Sequence, residues 1–258
     1  MNSKRFFLEF SYAGSAYHGW QRQSNAISVQ EVMEEVLNTI LKQTTPLTAA
    51  GRTDTGVHAK QMFAHFDGII YEKDKKELIF RLNQFLPQDI AIHNIRQVHA
   101  EAHARFDALN RTYEYHLNVI KSPFKQGLSH SLYKPLDIDT MNAAASLLLE
   151  YEDFRCFSKS NTEVKTFLCN ITKAMWKKNG NKIVFTITAN RFLRNMVRAI
   201  VGTLIEIGLG KKNCTHMNQI IQSKNRSLAG HSVPAEGLFL TQINYPNSIY
   251  LDDDKGKR

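Results

Sequence analysis

The feature that most constrains this chain is a recurring order of short alternating segments and apolar helical stripes, met once in each half. Residues 6–12 alternate, with Phe6, Leu8, Phe10 and Tyr12 on one side and Phe7, Glu9 and Ser11 on the other, which predicts a half-buried strand. Ser28-Val29-Gln30-Glu31 has the form of a capping box, and Val29, Val32, Met33, Val36, Leu37, Ile40 and Leu41 make a helical stripe that stops before Pro46. Met62, Ala64 and Phe66 predict a second strand, Asp74 to Pro87 a second helix, and Ile90 to Val98 a third strand. In the other half the pattern predicts a strand over 111–120, a helix near 139–150, and strands at about 168–178 and 182–189 joined by Asn179-Gly180-Asn181. A helix from Arg191 to Ile207, a short one near 214–223 and a last strand at about 238–245 follow.

Each half thus reads β-α-β-(β)-α-β, an arrangement in which helices cover one face of a mostly antiparallel sheet. The expectation is an α+β protein of two similar subdomains, with an active-site cleft between them. The expected boundaries are 1–105, 106–246 and a polar tail over 247–258, with Lys121 to Pro135 as an insertion-like loop. A chain of 258 residues with 43% hydrophobic content has enough apolar surface to fold without staples. Cys156, Cys169 and Cys214 are odd in number and lack a C-x-x-C pair, which argues against a disulfide framework and a structural zinc site. No apolar run approaches a membrane span, and Glu9 interrupts the first apolar stretch before it could serve as a signal core, so a cytoplasmic location is expected.

The net charge of +9 is concentrated. Between Lys165 and Lys212 ten Lys and Arg face one acid, Glu206, and the rest of the chain balances at 23 against 23. A basic face confined to one stretch suits a polyanion partner, although a merely solvated basic surface has the same composition.

The densest polar cluster is Gly51-Arg52-Thr53-Asp54-Thr55-Gly56-Val57-His58. Glycines at 51 and 56 would let the backbone take positive φ and hold Asp54 on a tight exposed turn beside Arg52. A nearby guanidinium keeps such a carboxylate ionised, which suits a nucleophile better than a general acid; the plain alternative is an Asx turn joining helix to strand. Asp54-Thr55-Gly56 also spells the D-T-G of aspartic proteases. That chemistry needs two carboxylates sharing a proton, and no second D-[ST]-G occurs, so only symmetric dimerisation could supply the partner. His99 and His103 have helical spacing but lack the H-E-x-x-H order and a third ligand, and Gly208 to Lys212 fails the P-loop pattern.

The helix expected after Asn190 would carry Arg191, Arg194 and Arg198 on one face, opposite an apolar stripe of Leu193, Val197, Ile200, Val201 and Leu204. Phosphates or a buried carboxylate such as Asp54 would suit that row; a solvated polar face is the alternative. Tyr17, His18 and Trp20 precede Gln21-Arg22-Gln23, and Tyr113 follows Arg111, so rings that could stack on bases sit beside donors. Tyr113 can equally be read as a core strand residue.

Together these segments resemble the tRNA pseudouridine synthase A family. The resemblance is carried, in order, by Tyr17-His-Gly-Trp-Gln-Arg-Gln, Ser28-Val-Gln-Glu, Gly51-Arg-Thr-Asp-Thr-Gly-Val-His58, His103-Ala-Arg-Phe-Asp107, Arg111-Thr-Tyr-Glu-Tyr115, Phe192-Leu-Arg-Asn-Met-Val-Arg-Ala-Ile-Val-Gly202 and Ala235-Glu-Gly-Leu-Phe-Leu240. It implies isomerisation of uridine to pseudouridine in the tRNA anticodon stem-loop, at positions 38, 39 and 40, by a homodimer needing no metal or small-molecule cofactor and no membrane. It further implies that Asp54 is the catalytic aspartate, that Arg52 helps hold the flipped-out nucleotide, that Tyr113 stacks on the target base, that Arg198 pairs with Asp54 and that Leu238 lines the pocket. Two positions depart from the family pattern: Thr55 stands where alanine is usual, and Ala13 where aspartate is usual. A non-catalytic RNA-binding protein on the same fold is the alternative, and only the set Arg52, Asp54, Tyr113 and Arg198 separates the two.

Overall fold

The computed structural model describes residues 3–159 and 164–251. The chain forms two compact units, one holding residues up to Leu109 together with those from Leu240 on, the other Asn110–Phe239. The architecture is α+β with mostly antiparallel strand pairing, as the alternation predicts.

In the first unit β1 (Lys4–Tyr12) is followed by α1 (Val29–Leu41), the short β2 (Thr48–Ala49), β3 (His58–Gly68), α2 (Lys75–Phe85) and β4 (Ile90–Val98). β1 lies between β3 and β4, antiparallel to both, and β2 extends the pairing of β3. α1 begins where the sequence says it should: the Ser28 hydroxyl accepts the Glu31 amide at 3.3 Å, and Lys42 ends the helix in the left-handed region at φ 53°. Its buried residues include Val29, Met33 and Leu37, and it packs against α2, which in turn packs against β4. β1 departs from the half-buried expectation, because Phe7 on its second face is buried too. The cover comes from the end of the chain, where Tyr245 lies edge-on to Phe7 at 5.0 Å and Tyr250 at 6.3 Å. Residues 247–251 are therefore packed against the first unit rather than trailing from it: Ile249 is buried and Tyr250 bridges Val98. The remainder of the expected tail, 252–258, lies outside the described residues.

In the second unit the order is β5 (Asn110–Asn118), the short β6 (His130–Ser131), α3 (Ile138–Ser146), β7 (Ile171–Asn179), β8 (Lys182–Ala189), α4 (Met196–Gly208) and α5 (His216–Ser223). β8 lies between β5 and β7, antiparallel to both, and β6 pairs with β5 in parallel. The β7–β8 hairpin closes through Gly180 at φ +56°, a backbone conformation that costs glycine nothing. The Asn142 side chain clamps α3 to β7, accepting the Trp176 amide at 2.7 Å and donating to the Trp176 carbonyl at 3.2 Å. β9 (Leu238–Asn244) begins in the second unit and ends in the first.

One expectation about this unit is overturned. The helix does not start at Arg191: α4 starts at Met196, after Asn195 in the left-handed region at φ 66°, a conformation asparagine tolerates better than most residues and one that stops any helix arriving from Phe192. Arg191 and Arg194 therefore precede α4 and share no helix face with Arg198. Nor is α4 amphipathic, since Met196, Val197, Ala199, Ile200, Val201, Gly202, Thr203, Leu204 and Ile205 are all buried. Gly202 is required by close approach, because a Cβ there would sit 1.8 Å from the His231 carbonyl oxygen. The three cysteines are free. Among the described residues no helix is long and apolar enough to cross a membrane.

Candidate active site

Asp54 sits on the turn between β2 and β3, and the turn is fixed by its own backbone and by the segment that follows β1. The Val57 amide donates to the Asp54 carbonyl at 3.1 Å, closing the turn, and Gly56 takes φ +76° inside it. Trp20 donates its amide to the Thr53 carbonyl at 3.2 Å, and the Gly56 amide donates to the Tyr17 carbonyl at 3.3 Å. The Tyr12 and Thr53 hydroxyls are 2.8 Å apart and buried. His58 is buried, and its Nδ1 accepts the Gly14 amide at 3.0 Å, tying the start of β3 to the segment after β1. Around this frame Thr53 is buried, Asp54 half-buried, and Arg52 and Thr55 exposed. A carboxylate held by a tethered backbone, with its own side chain reachable, is what a reaction at a sugar or base requires.

The two glycines of the motif differ. Gly56 has the positive φ expected of it, whereas Gly51 does not, and a Cβ at Gly51 would meet nothing within 4 Å. Two demanding glycines lie outside the turn motif: a Cβ at Gly14 would lie 2.0 Å from the Val57 carbonyl oxygen, and Gly19 stands at φ +87°, where a Cβ would lie 2.4 Å from the Thr53 carbonyl oxygen. Tyr17 from the same segment donates its hydroxyl to Asp89 at 2.7 Å, and burial together with that bond raises the phenol above its ordinary pKa. Asp89 also accepts the Ala13 amide through its backbone carbonyl at 2.8 Å, so the loop at position 13 is anchored from the connection between α2 and β4.

In the second unit two of the candidate residues, Arg198 and Leu238, meet in one segment, 233–238. Arg198, half-buried in the first turn of α4, donates Nε–H to the Val233 carbonyl at 2.7 Å, and the Val233 amide donates back to the Arg198 carbonyl at 3.2 Å. Tyr115 of β5 donates its hydroxyl to the Pro234 carbonyl at 2.8 Å. Burial raises that phenol's pKa, and the Arg198 charge opposes the rise. Gly237 closes the packing, since a Cβ there would be 2.8 Å from the Tyr115 ring. Leu238 follows and is buried. Tyr113, two residues before Tyr115 and so on the same face of β5, is half-buried and meets Phe192 edge-on at 5.2 Å. It is therefore not a closed core residue. Arg111 donates to the Asn190 carbonyl at 2.7 Å, Arg191 to the Thr166 carbonyl at 3.1 Å, and Arg194 is exposed. Arg52 and Asp54 belong to the first unit, and Tyr113, Arg198 and Leu238 to the second.

Sequence reasoning missed Thr53, Gly19, Tyr115 and Val233. Gly19, Thr53 and Tyr115 lie inside the quoted motifs but act through partners far away in the chain, and Val233 lies outside the motifs. The His99 and His103 pair is divided, His99 Nε2 facing the Ser248 carbonyl at 3.0 Å and His103 packing on His65 and Phe106. Among the described residues no group of three or more His, Cys, Asp or Glu could hold a metal ion.

The family described as tRNA pseudouridine synthase matches residues 144–246. Across nearly its whole length the chain is similar to proteins named tRNA pseudouridine synthase A. It is 49% identical over 250 residues to that of Porphyromonas gingivalis, covering 96% of this chain and 99% of the relative. It is 46% identical over 251 residues to that of Bacteroides fragilis, covering 97% and 100%. That of Francisella tularensis subsp. holarctica is 38% identical over 245 residues, covering 94% and 95%. The chain belongs to the tRNA pseudouridine synthase A family.

Proposed function

We propose that this chain is a tRNA-modifying isomerase that converts uridine to pseudouridine in the anticodon stem-loop, at positions 38, 39 and 40, with Asp54 as its catalytic carboxylate. The observation that carries the reading is the Asp54 turn, pinned by Tyr12, Tyr17 and Trp20 while the carboxylate stays reachable. The reaction breaks the N1–C1′ bond, turns the base and joins C5 to C1′; the proton lost from C5 is matched by one gained at N1, so no co-substrate is consumed. Such chemistry needs a carboxylate, a platform for an unstacked base and exclusion of water. Asp54 meets the sugar or base, Arg52 holds the extruded nucleotide, Tyr113 offers a ring face and Leu238 an apolar wall. Arg198, whose Nε–H is held by the Val233 carbonyl, is the guanidinium assigned to pair with the aspartate. The excess of lysine and arginine between Lys165 and Lys212 suits the RNA backbone. The protein works as a homodimer in the cytoplasm, which sedimentation and fractionation would check.

The direct test incubates the protein with unmodified tRNA, without added cofactor, and maps pseudouridine. Wild type should modify the anticodon stem-loop, and Asp54→Asn should form none while binding tRNA within a few fold, because the lost charge acts in chemistry and not on phosphates. Retained turnover in Asp54→Asn would overturn the assignment. Binding without any modification by wild type would favour the non-catalytic RNA-binding alternative.

A further inference from the structure

The second unit carries a basic hollow that the reading above leaves unused. Its volume is about 640 Å³, and Arg155, Lys159, Phe167, Lys224, Arg226 and His231 are among its walls, which among the described residues include no carboxylate. Arg226 is held at both ends of its fork by neutral groups, and Arg155 lies on a ring. Arg226 donates from one terminal nitrogen to the Ala229 and Gly230 carbonyls at 3.4 and 3.2 Å, and from the other to the Ser232 hydroxyl at 3.0 Å. The Arg155 guanidinium carbon lies 4.5 Å from the centre of the Phe167 ring. Among the described residues neither guanidinium has a carboxylate in ion-pair contact, whereas Lys224 pairs with Asp153 at 3.1 Å. Fixed guanidinium forks without an anionic partner suit phosphate, and a guanidinium stacked on a phenyl ring presents a flat cationic face to a base.

The size decides what sort of phosphate. A free tetrahedral anion would occupy a small part of about 640 Å³, while a nucleotide with its flanking backbone would fill it. Arg155, Lys159, Lys224 and His231 are exposed, so the charge extends around the rim as a polyanion would need. We infer that this hollow holds an RNA nucleotide other than the one that reacts, its phosphate on Arg226 and its sugar and base against the Arg155–Phe167 pair. The inference rests on the reading that the chain acts on tRNA, and it names a positioning site for that substrate.

The test measures the affinity of the full chain for unmodified tRNA across a salt series, with KM for pseudouridine formation alongside. Arg226→Gln should weaken binding about tenfold, Arg155→Gln several-fold, and Arg226→Lys should fall between Arg226→Gln and wild type, since lysine keeps the charge and loses the fork. Arg226→Gln should flatten the slope of log affinity against log salt by about one, and each Gln variant should raise KM in step with its loss of affinity. Lys76→Gln, which removes the same charge from an exposed position on α2, should leave the dissociation constant alone. Wild-type affinity and slope in both Gln variants would overturn the inference. If Arg226→Gln unfolds, Arg155→Gln decides, because its side chain packs only on a half-exposed ring. Inorganic phosphate is titrated at constant ionic strength as a second probe: phosphate binding lost in Arg226→Gln, with tRNA affinity unchanged, would make the hollow a free-anion site and sink the RNA reading. Affinity that depends on Arg226 in a protein forming no pseudouridine would support the hollow and reject the catalytic reading. Modification by wild type with unaltered KM in both variants would do the reverse.

Discussion

The Tyr12 hydroxyl and the Thr53 hydroxyl meet at 2.8 Å in a buried position, joining the last residue of β1 to the residue before Asp54. The bond passes the order of the central sheet of the first unit directly into the turn that aims the carboxylate. Tyr12→Phe keeps the ring and removes the bond. It should cost about 1 kcal/mol in stability, as a buried neutral hydrogen bond does, and slow turnover at saturating tRNA by several fold. Denaturant unfolding and single-turnover rates check both parts, and an unchanged rate would show that the turn holds its shape without this tether.

Gly19 and Gly51 offer a contrast in which sequence and structure disagree. Gly19→Ala must place a Cβ both at positive φ and 2.4 Å from the Thr53 oxygen, so it should destabilise the fold by more than about 2 kcal/mol and abolish activity. Gly51→Ala meets no neighbour and has no positive φ, so its stability should stay within about 0.5 kcal/mol of wild type. Thermal melts of the two variants side by side decide the matter.

Arg198, alone of the three arginines first grouped together, is on α4 and fixed to Val233. Arg198→Lys should be substantially slower at saturating tRNA and Arg198→Ala slower still, with binding largely kept. Arg194→Ala, at an exposed position before the helix, should change affinity or little at all. Wild-type turnover in Arg198→Ala together with lost activity in Arg194→Ala would mean that the other arginine serves the chemistry.

Lys177 and Lys178 are adjacent exposed residues near the end of β7, an outer strand of the second unit's β5–β8–β7 group, so their side chains leave opposite faces. Neutralising both should weaken binding to all tRNAs alike and make the salt dependence shallower. A slope equal to wild type would place the RNA elsewhere.

Acid should destabilise the first unit through His65. Its Nδ1 accepts the Ala104 amide at 3.1 Å, and burial, with His103 and Arg5 nearby, pushes its pKa down to about 4. Above pH ~6.5 the ring is neutral in both folded and unfolded chains. Between there and about 4 the unfolded chain takes up a proton that the folded one refuses, so stability falls as pH falls, by up to about 3 kcal/mol. Urea unfolding at pH 7.5 and 4.5 should show a smaller loss for His65→Gln than for wild type; equal losses would shift the cause to other groups.

Local signals were legible in the sequence where one residue decides the geometry. Ser28 marks the start of α1, Gly180 the β7–β8 turn, and the alternation over Ile90 to Val98 the strand observed there. The start of α4 was not legible, because apolar spacing continues smoothly from Leu193 to Val197 while the break depends on the backbone of Asn195. Periodicity records which side chains face inward and carries no trace of a single left-handed residue. Burial of Phe7 was hidden for another reason: its cover, Tyr245 and Tyr250, lies at the far end of the chain. For the site, Asp54 was marked by its polar, glycine-bearing surroundings. Its supports were not, since Tyr12, Gly19 and Thr53 come together only after β1 and the 13–20 segment have folded back on the turn.

The chain's return to its first unit through β9 also sets an order in time. Synthesis proceeds from the N-terminus, and domains usually fold as they leave the ribosome. Here the half that carries Asp54 cannot finish when its own strands have emerged. The Gln61 side chain waits for the Ile243 amide, Phe7 and Phe63 for the Tyr245 ring, and the Ala104 carbonyl for the Tyr245 hydroxyl. A nascent chain stalled after Phe239 holds every residue of the aspartate turn and lacks the aromatic cover over Phe7 and Phe63. Completion of the first unit is thereby gated by translation itself: Phe7 and Phe63 gain their aromatic cover only once the stretch through Tyr245 has been made.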